Sequence, residues 1–215
     1  MLTACSESTN DPGEAEGRTR AEEDNVNSRT NGGESRYEIK IKLFPAIAPI
    51  AVQNFVDLAE SGYYKDKIFH RIIANFMIQG GSPFGDGMSD PEYDAYFGIE
   101  PHANAVHSYG ALSMANAGPQ RNSQQFFIVN NKNGTPHLNG DYTVFGHTIE
   151  GFEGIDYISA LQTGAGDRPF ADVIIEDVTI YNSDAQDDSA EGNVNGVTLN
   201  EQEDLYAVIK VLVVE

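Results

Sequence analysis

Basic residues are scarce in this chain. It carries 13 Lys and Arg against 33 Asp and Glu among its 215 residues, a formal net charge of −20. Such a charge speaks against binding nucleic acid or an anionic membrane surface by electrostatics. The imbalance is uneven: residues 6–36 hold eight acidic and four basic side chains, and residues 182–204 hold seven acidic and none basic. The intervening span, 37–181, holds 17 acidic and eight basic residues, so much of the charge belongs to the flanks. No apolar run approaches the roughly 18–20 residues of a membrane span. Cysteine is nearly absent too: Cys5 stands alone, which excludes an internal disulfide and leaves the redox compartment unread. No repeat of about 20–50 residues is visible, which argues against a solenoid or propeller. The chain is 40% hydrophobic, enough for one core of ordinary size.

Residues 6–36 offer one apolar aliphatic side chain besides two alanines, Val26. That is too little buried surface to offset ordering entropy, so a flexible linker is expected over 1–36. Structure is expected from Tyr37. In YEIKIKLF, Tyr37, Ile39, Ile41 and Leu43 alternate with Glu38, Lys40 and Lys42, the period of a half-buried strand. After Pro49, the spacing Val52, Phe55, Val56, Ala59 predicts a helix that stops near Gly62. Short β-rich runs follow at 68–78, 111–115, 125–130, 142–149 and 173–181, with glycine- and asparagine-rich joints between them. Many short strands with turn signals point to a barrel or sandwich. A second helix is expected over 151–161, where Ile155, Ile158 and Leu161 share a face. Residues 182–204 read as another acidic linker, yet the chain then ends in the strand-like YAVIKVLVVE.

Several suggestive groups carry no chemistry. Gly80, Gly81, Gly85 and Gly87 lack phosphate-loop spacing. Asp86, Asp90, Glu92 and Asp94 lack the spacing of a calcium loop, and His102 and His107 lack further ligands at metal spacing. Asn133-Gly134-Thr135 matches a glycosylation acceptor, which matters only in a eukaryotic secretory route. No metal or cofactor is implied. The stretch FHRIIANFMIQGG (69–81) is harder to dismiss, because Arg71 sits in an apolar run where an unpaired charge would be expensive to bury.

That stretch is followed in order by ALSMANAG (111–118), QQFFIV (124–129) and HLNGDYTVFGHTIEG (137–151). Together the four segments closely resemble the cyclophilins, peptidyl-prolyl cis–trans isomerases, over about 37–181. The resemblance implies a mainly β fold, a closed eight-stranded antiparallel barrel capped by two α-helices. It implies catalysis of rotation about Xaa-Pro bonds in unfolded or extended polypeptides. The catalytic set it implies is Arg71, Gln79, Asn116 and Tyr142, with Arg71 as the central donor and Gln79 helping to hold its guanidinium. The substrate-binding set is Phe76, Met77, Ala115, Gln125, Phe127, His137 and Leu138, with His70 in a supporting place. Read without the resemblance, Phe76, Met77, Phe126 and Phe127 are core residues, Arg71 a structural ion-pair partner and Gln79 a surface or turn residue. Alternation lets only one of Phe126 and Phe127 face the pocket, and the resemblance selects Phe127. Two rival readings remain: a proline-segment binder without turnover, and a structural protein that works through its acidic flanks.

The chain departs from the family at several places. Asn122-Ser123-Gln124-Gln125 replaces the usual turn, and Tyr142 stands where many eukaryotic members have histidine, a bacterial-type trait. The family's first strand has no counterpart before Tyr37, since NSRTNGGES lacks strand character. We expect residues 206–214 to fill that vacancy beside 37–44, with 182–204 connecting, because an unpaired apolar strand is an aggregation hazard. Leu2-Thr3-Ala4-Cys5 resembles a bacterial lipobox, although no apolar signal region stands before it. It suggests a truncated or mis-started lipoprotein, membrane-anchored through Cys5 outside the cytoplasm; a coincidental match would leave the protein cytoplasmic. A monomer is expected, with proline-containing polypeptides as partners.

His137 occupies the place of the tryptophan found in cyclosporin-sensitive members. Lacking the indole donor and its broad face, the protein is expected to bind cyclosporin weakly or not at all. Isothermal titration checks this, and a tight, saturable isotherm would refute it.

Overall fold

The computed structural model describes residues 29–31, 33–88, 95–119, 121–182 and 205–215. Cys5, most of both acidic linkers and the loop acids Asp90, Glu92 and Asp94 lie outside the described residues. Among the described residues nine antiparallel strands form one sheet. They are β1 (Arg29–Asn31), β2 (Glu34–Leu43), β3 (Phe69–Ile73), β4 (Met77–Gly80), β5 (Ala111–Asn116), β6 (Asn122–Val129), β7 (Val144–Glu150), β8 (Asp172–Asn182) and β9 (Leu205–Val214). Eight run side by side in the order β3-β4-β6-β5-β7-β2-β9-β8, and β1 pairs with the start of β2 off that path. Two helices, α1 (Pro49–Glu60) and α2 (Phe152–Ser159), pack against the curled sheet.

The eight strands and two helices are those expected, but the barrel is open. Its end strands β3 and β8 meet at a single bridge, Ile68↔Ile174, clasped by Ile175 N–H donating to Lys67 O (2.7 Å) and Asp66 N–H to Ile175 O (2.9 Å). A register shift between Ile175 and Asp177 bends β8 there, and bulges commonly end pairing at a rim.

The β-rich run 68–78 also differs from expectation, folding into two strands. Asn75 takes a left-handed conformation (φ 57°), which asparagine tolerates better than most residues, and Phe76 N–H donates to Ile73 O (3.1 Å). The chain therefore reverses between Ile73 and Met77. Upstream, Arg29–Asn31 does pair, with Arg29↔Arg36 and Asn31↔Glu34, although its sequence has no strand pattern. The protruding start of β2 supplies backbone partners, and backbone pairing requires no apolar side chain.

Strand β9 lies between β2 and β8, in the place beside 37–44 that the N-terminal sequence left vacant. Its register with β2 runs from Glu34↔Val214 to Lys42↔Tyr206, and with β8 from Asp172↔Val214 to Asn182↔Leu205. Alternation turns Ala207, Ile209, Val211 and Val213 inward, all fully buried beside Ile39 and Ile41. The helices close the core. In α1 the stripe Ala51, Val52, Phe55 and Ala59 is buried, and Phe55 packs edge-on to Phe126 (5.5 Å between ring centres). The first turn of α1 has no cap of its own. Instead the Glu100 carboxylate accepts from the amides of Ile50 (3.1 Å) and Ala51 (2.8 Å), where the helix dipole favours negative charge. Helix α2 follows Gly151, whose φ of 85° and closeness to Glu38 O leave no room for a Cβ.

Because β9 lines the core over its whole length, Ile209→Ala should destabilise the fold by about 2–5 kcal/mol. Chemical denaturation followed by circular dichroism measures it. A loss below about 1 kcal/mol, the range of peripheral sites, would show that β9 contributes little to the core.

Candidate active site

The site is built by register. Residues paired directly across neighbouring strands point to the same face of a sheet. Arg71 on β3 pairs with Gln79 on β4, Gln79 with Phe127 on β6, Phe127 with Ser113 on β5, and Ser113 with Val144 on β7. These five residues form one row. Two residues along, Ile73, Met77 and Val129 form the next row on that face. Strand β6 is buried on both sides, so its two faces serve different cores. Phe126 and Ile128 join the main core, while Phe127 and Val129 join a second cluster with Phe44, Met77, Ala105, Ala111, Leu138 and Val144. Phe76, Ala115 and Tyr142 pack against this second cluster, half-buried. An apolar pocket wall thus stands in the same sheet face as a guanidinium.

The sequence-predicted residues separate into clear places. Phe76, Met77, Ala115, Phe127, Leu138 and Tyr142 gather at the second cluster. His137 is exposed at the rim and stacks on Phe76, with ring centres 5.7 Å apart. Phe76 is itself held by Asn130, whose Oδ1 accepts from its amide (2.6 Å) and whose Nδ2 donates to Ile73 O (3.0 Å). Ala115 sits at a register shift between Met114 and Asn116. The regular β5–β7 pairing ends at Ser113↔Val144; beyond it Met114 N–H donates to Thr143 O (2.9 Å) and the Asn116 side chain donates to Asp141 O (3.0 Å). Gln125 and Phe127 lie on a regular strand despite the altered turn before them.

Gln79 does not hold Arg71. Its Nε2 donates to Gln125 Oε1 (3.0 Å), and the Gln125 amide donates in turn to Gly87 O (2.9 Å) and Met88 O (3.1 Å). Arg71 donates instead from Nε to Asp167 Oδ2 (3.2 Å). Asp167 is the site residue that sequence reasoning missed: it lies 96 positions away, in a short 3-10 turn, and no local pattern couples the two. Both partners are about 40% exposed (40% and 44%), so Arg71 is not a buried charge and the cost that made it conspicuous is not incurred. An exposed pair of this kind contributes about 0–1 kcal/mol to stability.

Comparison with known proteins bears on the same segments. Residues 26–180 match the family described as cyclophilin type peptidyl-prolyl cis-trans isomerase/CLD. A peptidyl-prolyl cis-trans isomerase of Arabidopsis thaliana is 46% identical over 146 residues, 67% of this chain and 90% of that protein. A putative peptidyl-prolyl cis-trans isomerase of Staphylococcus epidermidis is 40% identical over 178 residues, 70% of this chain and 88% of that protein. Among solved structures, a cyclophilin-type isomerase of Cryptosporidium parvum, determined in the presence of the dipeptide Ala-Pro, is similar with a TM-score of 0.61. It is 39% identical, and the match covers 65% of this chain and 89% of that one.

Two buried histidines back the site. His107 stacks on Phe127 (5.8 Å), with Nδ1 2.8 Å from Asn139 Oδ1 and Nε2 3.0 Å from Ser113 Oγ, and burial lowers its pKa. His70, next to Arg71 and 6% exposed, has no hydrogen-bond partner for either ring nitrogen among the described residues. Burial first, then the Arg168 charge, push its pKa down to about 4, with Asp86 opposing and Arg71 reinforcing. The unfolded ring takes a proton near pH 6.5, while the folded ring refuses it until about pH 4. This contribution is fully present above pH 6.5 and is lost as pH falls towards 4, at a cost of about 3 kcal/mol. Replacing His70 by Asn should shrink the stability difference between about pH 7.5 and 4.5 by ~2–3 kcal/mol in urea titrations. An undiminished difference would assign the acid sensitivity to other groups.

Proposed function

The chain belongs to the cyclophilin-type peptidyl-prolyl cis-trans isomerase family and is an isomerase of Xaa-Pro bonds, and on that premise we propose that Arg71 is its principal catalytic donor. The observation that carries this is the shared row of Arg71, Gln79 and Phe127 beside the Met77 and Leu138 pocket. The imide bond before proline resists rotation because the nitrogen lone pair is delocalised into the carbonyl, a barrier of about 18–20 kcal/mol. No bond need break. In the twisted state the nitrogen pyramidalises and its lone pair localises, so a fixed donor aimed there binds that state better than either planar form. Arginine stays charged at every working pH and presents a planar fork of donors.

The pocket grips the proline ring, and the Gln79–Gln125 pair borders it. The half-open stretch of β5 at Asn116 offers backbone to an extended peptide, which supports unfolded or extended polypeptides as substrates. Tyr142 lies edge-on to Phe127 at 5.8 Å, which supports a role in placing that ring. The Ala-Pro dipeptide used with the Cryptosporidium structure supports a proline-containing ligand here. Lipid anchoring through Cys5, outside the cytoplasmic membrane, rests on the Leu2–Cys5 match alone. Mass spectrometry of the mature N-terminus tests that placement.

Arg71→Ala should slow isomerisation of an Ala-Pro peptide by about 100-fold or more, ~2.7 kcal/mol of transition-state stabilisation, while peptide binding persists. Arg71→Lys should recover little, because a point charge cannot reproduce the fork. NMR exchange at matched folded concentration measures both. Wild type that binds the peptide yet exchanges it no faster than buffer would leave only the proline-segment binder.

A further inference from the structure

We infer that Asp167 is a positioning residue for Arg71: its carboxylate holds the guanidinium by Nε and fixes the direction of the two terminal nitrogens. The inference rests on Arg71 being the donor proposed above. Arg71 engages Asp167 through Nε alone, and among the described residues neither terminal nitrogen makes a hydrogen bond. A long side chain at the rim of a pocket otherwise samples several rotamers, and misdirection of a donor by about 1 Å can cost ~100-fold in rate. Gln79, the neighbour across the strand pair, is committed to Gln125 and leaves that task open.

The turn that carries Asp167 is built to hold it in place. Gly166 and Asp167 both take left-handed conformations (φ 71° and 59°). That geometry disfavours most side chains and is tolerated by Asp and Asn. The loop is closed at its base by the Thr163↔Pro169 bridge, with Gly164 N–H donating to Arg168 O (2.8 Å) and Phe170 N–H to Gln162 O (3.1 Å). The next residue fastens it to the other side of the site: Arg168 Nη1 donates to Gly85 O (2.7 Å), in the loop that follows β4. Asp167 and Arg168 therefore reach in two directions, one to the catalytic strand and one to the loop whose Gly87 and Met88 carbonyls hold Gln125. A half-exposed ion pair adds little to stability, so an aiming role accounts for this construction better than a stabilising one.

The test uses the full chain with an Ala-Pro peptide, comparing wild type, Asp167→Asn, Arg71→Ala and the double variant. Asparagine keeps the left-handed turn and removes the charge. Asp167→Asn is expected to lower turnover about tenfold with peptide affinity within about twofold, since aim matters in the twisted state. In the NMR spectrum the Arg71 Nε–Hε signal should shift and exchange faster with water. On the Arg71→Ala background the same substitution should have no further effect, because Asp167 acts through Arg71. Unchanged or faster turnover in Asp167→Asn overturns the inference while leaving Arg71 as donor. An equal loss on the Arg71→Ala background, or parallel losses of affinity and turnover, shows a structural role and also overturns it. If Arg71→Ala is as fast as wild type, the proposed donor itself fails and the positioning role falls with it.

Discussion

The register between β4 and β6 is the constraint on which the rest of the site depends. Side chains alternate with a period of two, so a slip of one residue would exchange the two faces of β6. Phe126 would leave the main core, where it meets Phe55, Tyr64 and Phe69 at centroid distances of 5.3–5.9 Å, and Phe127 would take its place. The pairs Gln79↔Phe127 and Gly80↔Phe126 hold the correct alignment. Glycine relieves crowding at Gly80, since a Cβ there would lie 3.0 Å from the Phe69 ring and 3.2 Å from Ile68 O. The same pairing extends outward to Arg71, so the packing of an aromatic core sets the place of a cation at the rim of the pocket.

Arg71 began as an apparent contradiction, a charge in an apolar run. Strand alternation removes it: His70 and Ile72 turn inward, while Arg71 stays half-exposed at the mouth of the pocket. The ion-pair reading and the catalytic reading of Arg71 are then compatible. The guanidinium has several donors, and Asp167 engages one of them through Nε. The buried titratable group in this region is the neighbour instead: burial keeps the His70 ring neutral at ordinary pH.

The C-terminal strand shows how a global requirement can be met by a distant segment. Strand β2 needs partners on both edges, and β7 supplies only one. Strand β9 supplies the other and also covers β8, burying Ala207, Ile209, Val211 and Val213. The opposite ends of the sheet lack such a filler and meet at one bridge, which leaves the barrel open there.

Much of this was legible in the linear pattern. The two-residue alternation of 37–43, the apolar strand-like run 206–214 and the helical stripe after Pro49 are local properties set by short-range sterics and burial. The segments around FHR, FMIQGG, SMANAG and QFF were legible through their resemblance to the family. Alternation left only one of Phe126 and Phe127 for the pocket, and the family resemblance selected Phe127. Other features were decided only by the folded chain. The break of 68–78 into a hairpin depends on Asn130, just past the end of β6, gripping the turn. The pairing of Arg29–Asn31 depends on backbone partners, and backbone hydrogen bonds leave no trace in side-chain pattern. The Arg71–Asp167 contact joins residues 96 positions apart, one on strand β3 and one in a separately placed 3-10 turn. Periodicity reports which way a side chain points relative to its own element; which atoms it meets depends on where the other elements come to rest.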